Sequence, residues 1–322
     1  MVYSVSHLSE QNSDFVHWPH HLQLLFMKLE YRKLDSINKI KKKTKVVNFT
    51  VDTDENYIAN GVVTHNCYMR RNVRSGVSFV TNPTDIADAI HEHALEQPWP
   101  KTPDQTHEKY YTYDISCAED FILHWKHHEK RGHIASLQEL LAKNDRVFLT
   151  MATKRDPREF VRAVQLERTR IRLSLMPEEF RRILEPNTST IRERLGAITP
   201  VIQAGYECHL NFSPVIVVPG ALDKYRELLQ ACNTLIPFQY RDQIKAEVIF
   251  LTHSADMHVK NLQEGNAEAE ELLWNPELQE KKQSQFGGPV LRYQWQLKQS
   301  LIKDFKELLN NEVPWLKVRY IF

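Results

Sequence analysis

The sequence predicts an α/β fold, in which a small β-rich unit precedes a mostly parallel, open or barrel-like sheet. Three observations carry this expectation. From residue 67 onward, short apolar runs bounded by turn residues alternate with longer amphipathic stretches, the pattern of repeated strand–helix units. Glycine is scarce, 9 residues in 322, which argues against a turn-rich all-β chain. Hydrophobic residues make up 42% and charged residues 26%, enough apolar material for a sizeable core in what the length suggests are about two domains.

The elements follow in chain order. Residues 1–26 have no clean period, and their His17, His20 and His21 lack a second ligand cluster, so they read as surface residues. Residues 27–45 are basic, with Lys39, Lys41, Lys42, Lys43 and Lys45, and read as a solvated turn rather than a nucleic-acid arm. Residues 46–66 form the small β unit. Val46, Val47, Phe49 and Val51 mark a strand, 52–56 a turn, 57–59 a second strand, Asn60-Gly61 a tight turn and 62–64 a third strand.

Beyond residue 67, Asn82-Pro83-Thr84-Asp85 opens a helix that reaches about Gln97. Pro98, Pro100 and Pro103 make 98–109 a loop. Strands are predicted at 111–117, 147–153, 170–176, 207–217, 247–252 and 316–322. Helices are predicted at about 121–130, 136–143, 157–168, 190–204, 221–235 and 295–309, with Gly205 closing the fourth of these. There is no internal repeat.

Several classes are excluded. Lys+Arg minus Asp+Glu is 42 − 41 = +1, so any DNA contact must use a local patch. No apolar run reaches the ~18 residues of a membrane span, and Met1 is not followed by a signal-like region. Cys67, Cys117, Cys208 and Cys232 are widely spaced and include no CxxC pair, which predicts a reducing, cytoplasmic setting without a disulfide framework. Cys208 and Cys232 read as core residues, and His124, His127 and His128 as a solvated helix face rather than a metal site.

The sharpest local signal is Val62-Val63-Thr64-His65-Asn66-Cys67. Asn66 can turn its side-chain amide onto its own carbonyl, forming a succinimide and cutting the chain. His65 can protonate the leaving amide. Cys67 can accept an upstream chain by acyl transfer. With its strand–turn–strand prelude, 27–66 resembles the C-terminal piece of an intein, a self-splicing insert, and the resemblance covers 27–67. Asn48 and Glu55 stand where inteins often carry Asp and His, which bears on the rate of splicing. No upstream half is present, so this reading makes the chain either half of a trans-splicing pair, with an N-intein/N-extein partner chain, or a fragment read from an internal Met.

Downstream, the stretches 111–125, 147–156, 170–219 and 291–322 resemble the spore photoproduct lyase family of radical S-adenosylmethionine enzymes. The most telling residues are Ser174, Pro177-Glu178, Glu185-Pro186, Thr188, Arg192, Arg194-Leu195, Ala204-Gly205-Tyr206, Phe212 and Pro214. The resemblance implies a partial β/α barrel, lacking its first strand in this chain, a 4Fe–4S cluster and S-adenosylmethionine. It implies reductive cleavage of that cofactor to a 5′-deoxyadenosyl radical, which starts reversal of a thymine dimer lesion in DNA. It further implies Cys67 as one cluster ligand, Tyr68 as a radical relay, and Cys117 as the hydrogen-atom donor to the product radical. Lys154 and Ser174 would hold the amino-acid end of the cofactor, and Arg292 and Tyr293 would sit on a lesion-probing hairpin. Arg70, Arg71 and Arg74 offer phosphate partners. The family's CxxxCxxC ligates the cluster through three thiolates, and only Cys67 stands in this sequence, so the rest would come from an upstream segment. Two alternatives stand beside the repair lyase: a truncated, non-enzymatic fragment, and an enzyme of the same family with another substrate.

Overall fold

The structure, a computed structural model, describes residues 50–51, 56–59, 62–65, 82–116, 120–283 and 289–322. Its centre is a seven-stranded sheet curled into a half-barrel. The strands are β1 (Thr50–Val51), β4 (Tyr111–Asp114), β5 (Val147–Thr153), β6 (Thr169–Ser174), β7 (Glu207–Val215), β8 (Lys245–Phe250) and β12 (Lys317–Ile321), side by side in the order β1-β4-β5-β6-β7-β8-β12. Strands β4 to β8 and β12 run parallel, and β1 closes one edge antiparallel to β4 through Thr50↔Asp114 and Val51↔Tyr113. In the predicted β unit, β2 (Asn56–Ala59) and β3 (Val62–His65) form the expected antiparallel hairpin, which ends on His65.

Among the described residues the α-helices are, in chain order, α1 (Asp85–Glu96), α2 (Trp125–Lys130), α3 (His133–Lys143), α4 (Arg158–Ala163), α5 (Glu178–Leu184), α6 (Ile191–Gly196), α7 (Ile198–Gln203), α8 (Ala221–Leu235), α9 (Ala255–Gln263), α10 (Ala267–Leu273) and α11 (Trp295–Glu312). A second, antiparallel sheet comprises β10 (Gln279–Gln283), β11 (Pro289–Tyr293) and β9 (Thr252–Ser254), with β11 in the middle.

The predicted helix over 190–204 is two helices. Thr190 starts the first with a capping box: its side chain accepts from the Glu193 amide at 3.2 Å, and Glu193 accepts from the Thr190 amide at 2.7 Å. Pro200 has no amide to donate to the Gly196 carbonyl, so the ladder breaks there and α7 begins afresh. Gly205 closes α7 as expected, at φ +88°, a conformation that suits glycine alone. The predicted strand over 247–252 is also divided, because after Phe250 the chain leaves the large sheet and Thr252 starts β9 in the small one.

Alternation along the strands separates two faces. Leu149, Met151, Ile171, Leu173, Leu210, Phe212, Ala246 and Val248 are each fully buried. They join Ile90, Leu140, Ile198, Val201, Leu228 and Phe305 from the helices in one core. Each of the leucine, isoleucine, valine, methionine and phenylalanine side chains among them contributes about 1.5–3 kcal/mol by leaving water. The cysteines predicted as core are there, Cys208 on β7 and Cys232 on α8, and burial pushes both thiols up to about 12. The predicted solvated histidine face is corrected. Trp125 and His128 point inward on α2, His128 stacks on Phe121 at 4.2 Å, and its Nδ1 lies 2.9 Å from that of His133. The aromatic neighbours draw the ring under the helix, and only Lys126, Glu129 and Lys130 of α2 are exposed.

Candidate active site

The opposite strand face is polar. Asp114 on β4, Thr150 on β5, Arg170, Arg172 and Ser174 on β6, His209 and Asn211 on β7, and Glu247 on β8 all fall on it, by the two-residue period and the strand registers. Arg172 pairs with Asp114 on one side and with Glu247 at 3.4 Å on the other. Each partner lies two strands away, about 9–10 Å across a flat sheet. One guanidinium reaches both because the sheet curls around it.

The strand N-terminal ends are held by a charge network. Arg170 pairs with Glu207 at 2.9 Å and donates to the Thr106 carbonyl at 3.1 Å. His209 Nε2 lies 2.6 Å from Glu207. Arg319 of β12 pairs with Glu247 and donates to the Gln105 and Thr106 carbonyls at 2.7 and 2.5 Å. The Tyr320 hydroxyl donates to Glu247 at 2.8 Å. Burial pushes the Glu247 carboxyl up, yet Arg172, His209 and Arg319 more than offset it, so Glu247 is held well below the usual carboxylate range. The proline-rich loop over 98–109 is thereby fastened beneath this end of the half-barrel.

At the strand C-terminal ends a second constellation gathers, the position where β/α barrels carry their chemistry. Asp120 accepts from the Thr153 hydroxyl at 3.0 Å and from the Lys154 amide at 2.8 Å. Lys154 Nζ pairs with Glu185 Oε1. Arg194, wholly buried, donates to Glu185 Oε2 at 3.0 Å, to Thr188 Oγ1 at 2.6 Å, to the Ser189 carbonyl at 3.0 Å and to the Ser174 carbonyl at 2.6 Å. Burial raises the Glu185 carboxyl, but Lys154 and Arg194 more than offset that and hold it below its ordinary value. Beside Ser174, Asn211 is buried with its Oδ1 lacking a hydrogen-bond partner among the described residues.

The two residues expected at the cofactor's amino-acid end are therefore brought together, with Lys154 linked through Glu185 and Arg194 to Ser174. Arg292 and Tyr293 do lie on a hairpin, β10–β11, but they face differently. Arg292 crosses to Glu280 at 2.8 Å, half-buried. Tyr293 is 1% exposed, and its hydroxyl accepts from the Val217 amide at 2.8 Å. It is a packing residue at the hairpin root and offers no surface to a lesion. His65 is the last residue of β3. Asn66, Cys67, Tyr68 and Cys117 lie outside the described residues. Ser116, just before Cys117, accepts from the Phe121 amide at 3.3 Å at the end of β4. Sequence reasoning assigned no role to Asp120, Glu185, Arg194 or Asn211. For Asn211 the signal was available, since it shares the alternating face of His209.

Among the described residues no helix is long and apolar enough to cross a membrane. The family model described as Spore photoproduct lyase matches residues 30–322. Its match runs through both the β2–β3 hairpin and the half-barrel. The chain is 24% identical over 261 residues to spore photoproduct lyase of Bacillus subtilis (strain 168), covering 80% of this chain and 72% of that protein. It is similar to the solved structure of a spore photoproduct lyase variant with bound AdoMet and dinucleoside spore photoproduct, at TM-score 0.65 and 19% identity. It is likewise similar to spore photoproduct lyase complexed with dinucleoside spore photoproduct, at TM-score 0.66 and 19% identity. Both comparisons cover 80% of this chain and 72% of the other. The half-barrel, its polar inner face and a match over nearly the whole sequence agree, and the chain belongs to the spore photoproduct lyase family.

Proposed function

We propose that this chain supplies the substrate- and cofactor-holding part of a radical S-adenosylmethionine lyase that repairs a thymine dimer lesion of the spore-photoproduct type. The observation that carries the proposal is the buried Lys154–Glu185–Arg194–Ser174 constellation at the strand C-terminal ends of a polar-faced half-barrel. An amino-acid group needs a cation for its carboxylate and acceptors for its ammonium. Lys154, the Ser174 hydroxyl and the orphaned Asn211 Oδ1 fit that need. Once bound, S-adenosylmethionine supplies a hydrogen-abstracting radical. The chain's own part is to fix the cofactor, exclude water and hold the lesion against Cys117, whose weak S–H bond quenches the product radical. A lesion in duplex DNA must leave the stack to reach that face.

The cluster does not fit this sequence alone. Three thiolates are needed, yet Cys208 and Cys232 are buried with thiols pushed up to about 12, which leaves Cys67 and Cys117. The ligand set would be completed by cysteines outside this sequence.

A second reading concerns maturation. It rests on the sequence, where His65-Asn66-Cys67 follows a strand–turn–strand stretch, and it puts splicing at Asn66, with Cys67 as the acceptor and an N-intein/N-extein chain as the partner. Splicing would join Cys67 to the missing ligands. The test is to join residues 67–322 to a CxxxC segment, reconstitute the protein anaerobically, and supply S-adenosylmethionine, a reductant and dinucleoside spore photoproduct. Recovery of the thymine dinucleotide is the expected result. Cofactor cleavage without lesion turnover would transfer the assignment to another substrate, and neither reaction would mark a non-enzymatic fragment.

A further inference from the structure

Behind β8, the small sheet and the two helices beside it hold a side-chain cluster that the lyase reading leaves unused. His253 of β9 directs Nε2 at Glu270 Oε2 of α10 from 3.0 Å. His258 of α9 directs Nδ1 at the same oxygen from 2.5 Å. Asn261, three residues on and so on the same helical face, donates from Nδ2 to Glu270 Oε1. His253 and Glu270 are each 3% exposed and Asn261 is 0% exposed, while His258 is partly covered. Trp274 stacks on the His258 ring at 4.0 Å and meets His253 edge-on at 6.0 Å, so both imidazoles are held in orientation.

Two imidazole nitrogens and a carboxylate oxygen converge within 4.8 Å of one another, and among the described residues no other group of His, Cys, Asp and Glu does so. A tetrahedral zinc ion with ligands at about 2.0–2.1 Å sets its donor atoms roughly 3.3–3.4 Å apart. The Glu270 oxygen lies 3.0 Å from the His253 nitrogen and 2.5 Å from the His258 nitrogen, and all three donor atoms lie within 4.8 Å of one another, so modest side-chain shifts reach that spacing. A second, independent feature points the same way. Asn261 Oδ1 is buried without a hydrogen-bond partner among the described residues. A half-turn of that amide, which barely changes its shape, sets the oxygen beside the Glu270 carboxylate. In that position the oxygen is repelled by the carboxylate unless a cation lies between them, so the amide would serve as a fourth donor when an ion is present.

We propose that His253, His258 and Glu270 form a binding site for one zinc ion, with Asn261 completing it. The site is structural. It clamps β9, whose His253 and Thr252 pair with Leu291 and Arg292 of β11, to α9 and α10, and so braces the β10–β11 hairpin from behind. Borderline imidazole and carboxylate donors in a largely closed pocket suit zinc over magnesium or calcium.

The test uses the whole chain, stripped with EDTA and titrated with Zn2+ against a chromophoric chelator, with thermal melts read by circular dichroism. Wild type should bind one equivalent at this site and melt at a higher temperature with zinc, since an ion that binds only the folded state stabilises it. Co2+ in its place should give the intense visible bands of a tetrahedral site. His258→Ala, at the partly exposed edge, should keep the fold and weaken binding by more than the roughly 100-fold that losing an outer partner costs. Glu270→Gln should lose the cobalt bands. A folded wild type that takes up no zinc would overturn the proposal and leave a plain His–Glu–Asn hydrogen-bond network. Equal zinc uptake by His258→Ala and wild type would also overturn it, by assigning the metal elsewhere, as to His17, His20 and His21.

Discussion

Arg194 and Glu185 meet at 3.0 Å with both side chains buried, and the same guanidinium donates to the Ser174 carbonyl at 2.6 Å. Lys154 takes the other oxygen of Glu185. One carboxylate thus neutralises two buried cations at the ends of β5 and β6. Glu185→Gln should destabilise the protein by about 3–5 kcal/mol, because it leaves those cations uncompensated. Urea denaturation at neutral pH reads the loss. The folded-state value of Glu185 lies below its ordinary 4.5, so its contribution is complete above that pH and drains away as pH falls through the lower folded value. Glu247 behaves in the same way. Stability should therefore decline on acidification below about pH 4.5, and the decline should be shallower in Glu185→Gln. Parallel acid limbs for the two proteins would remove Glu185 from that account.

Purified by itself, this chain should hold no 4Fe–4S cluster, since two of its four cysteines are core residues and three thiolates are required. Anaerobic reconstitution followed by iron analysis and visible absorbance checks this. Roughly four irons per chain with a broad visible band would refute it.

Asn66→Ala should abolish cleavage before Cys67, because alanine has no amide to cyclise. Mass spectrometry of the wild type, incubated with a nucleophile or a matching N-intein, should find a fragment that begins at Cys67. The same fragment released at the same rate from the variant would refute the cyclisation chemistry.

In the joined enzyme, Cys117→Ala should cleave S-adenosylmethionine normally yet fail to give clean thymine, leaving off-pathway adducts. Lys154→Ala should instead weaken cofactor binding and slow its cleavage. The contrast separates a late hydrogen donor from an early holding group. Equal yields of intact thymine from Cys117→Ala and its parent would end the donor role.

What the sequence by itself determined is what short-range chemistry dictates. The strand over Val147–Thr153 and the helix over Ala221–Leu235 are where the pattern puts them, because a two-residue or 3.6-residue apolar period follows from the backbone geometry of each element. Gly205 ends a helix because a positive φ suits it. The mostly parallel sheet was likewise legible in strands and helices alternating along the chain, whereas its partial-barrel form came from the resemblance to the lyase family. Tertiary structure decided the rest. The resemblance puts Tyr293 on a lesion-probing hairpin, and the fold buries it there, its hydroxyl accepting from the Val217 amide, a partner distant in sequence. Helices α9 and α10 lie in a charged stretch whose apolar stripe is too short to announce them, and they are settled by packing. Glu185, Arg194 and Asn211 acquire their roles only when separate strands and helices set them beside Lys154 and Ser174. His253, His258 and Glu270 likewise converge only through the fold, from a strand and two helices. A buried charge is tolerated only where its partner arrives, and that partner is chosen by how the chain folds back on itself.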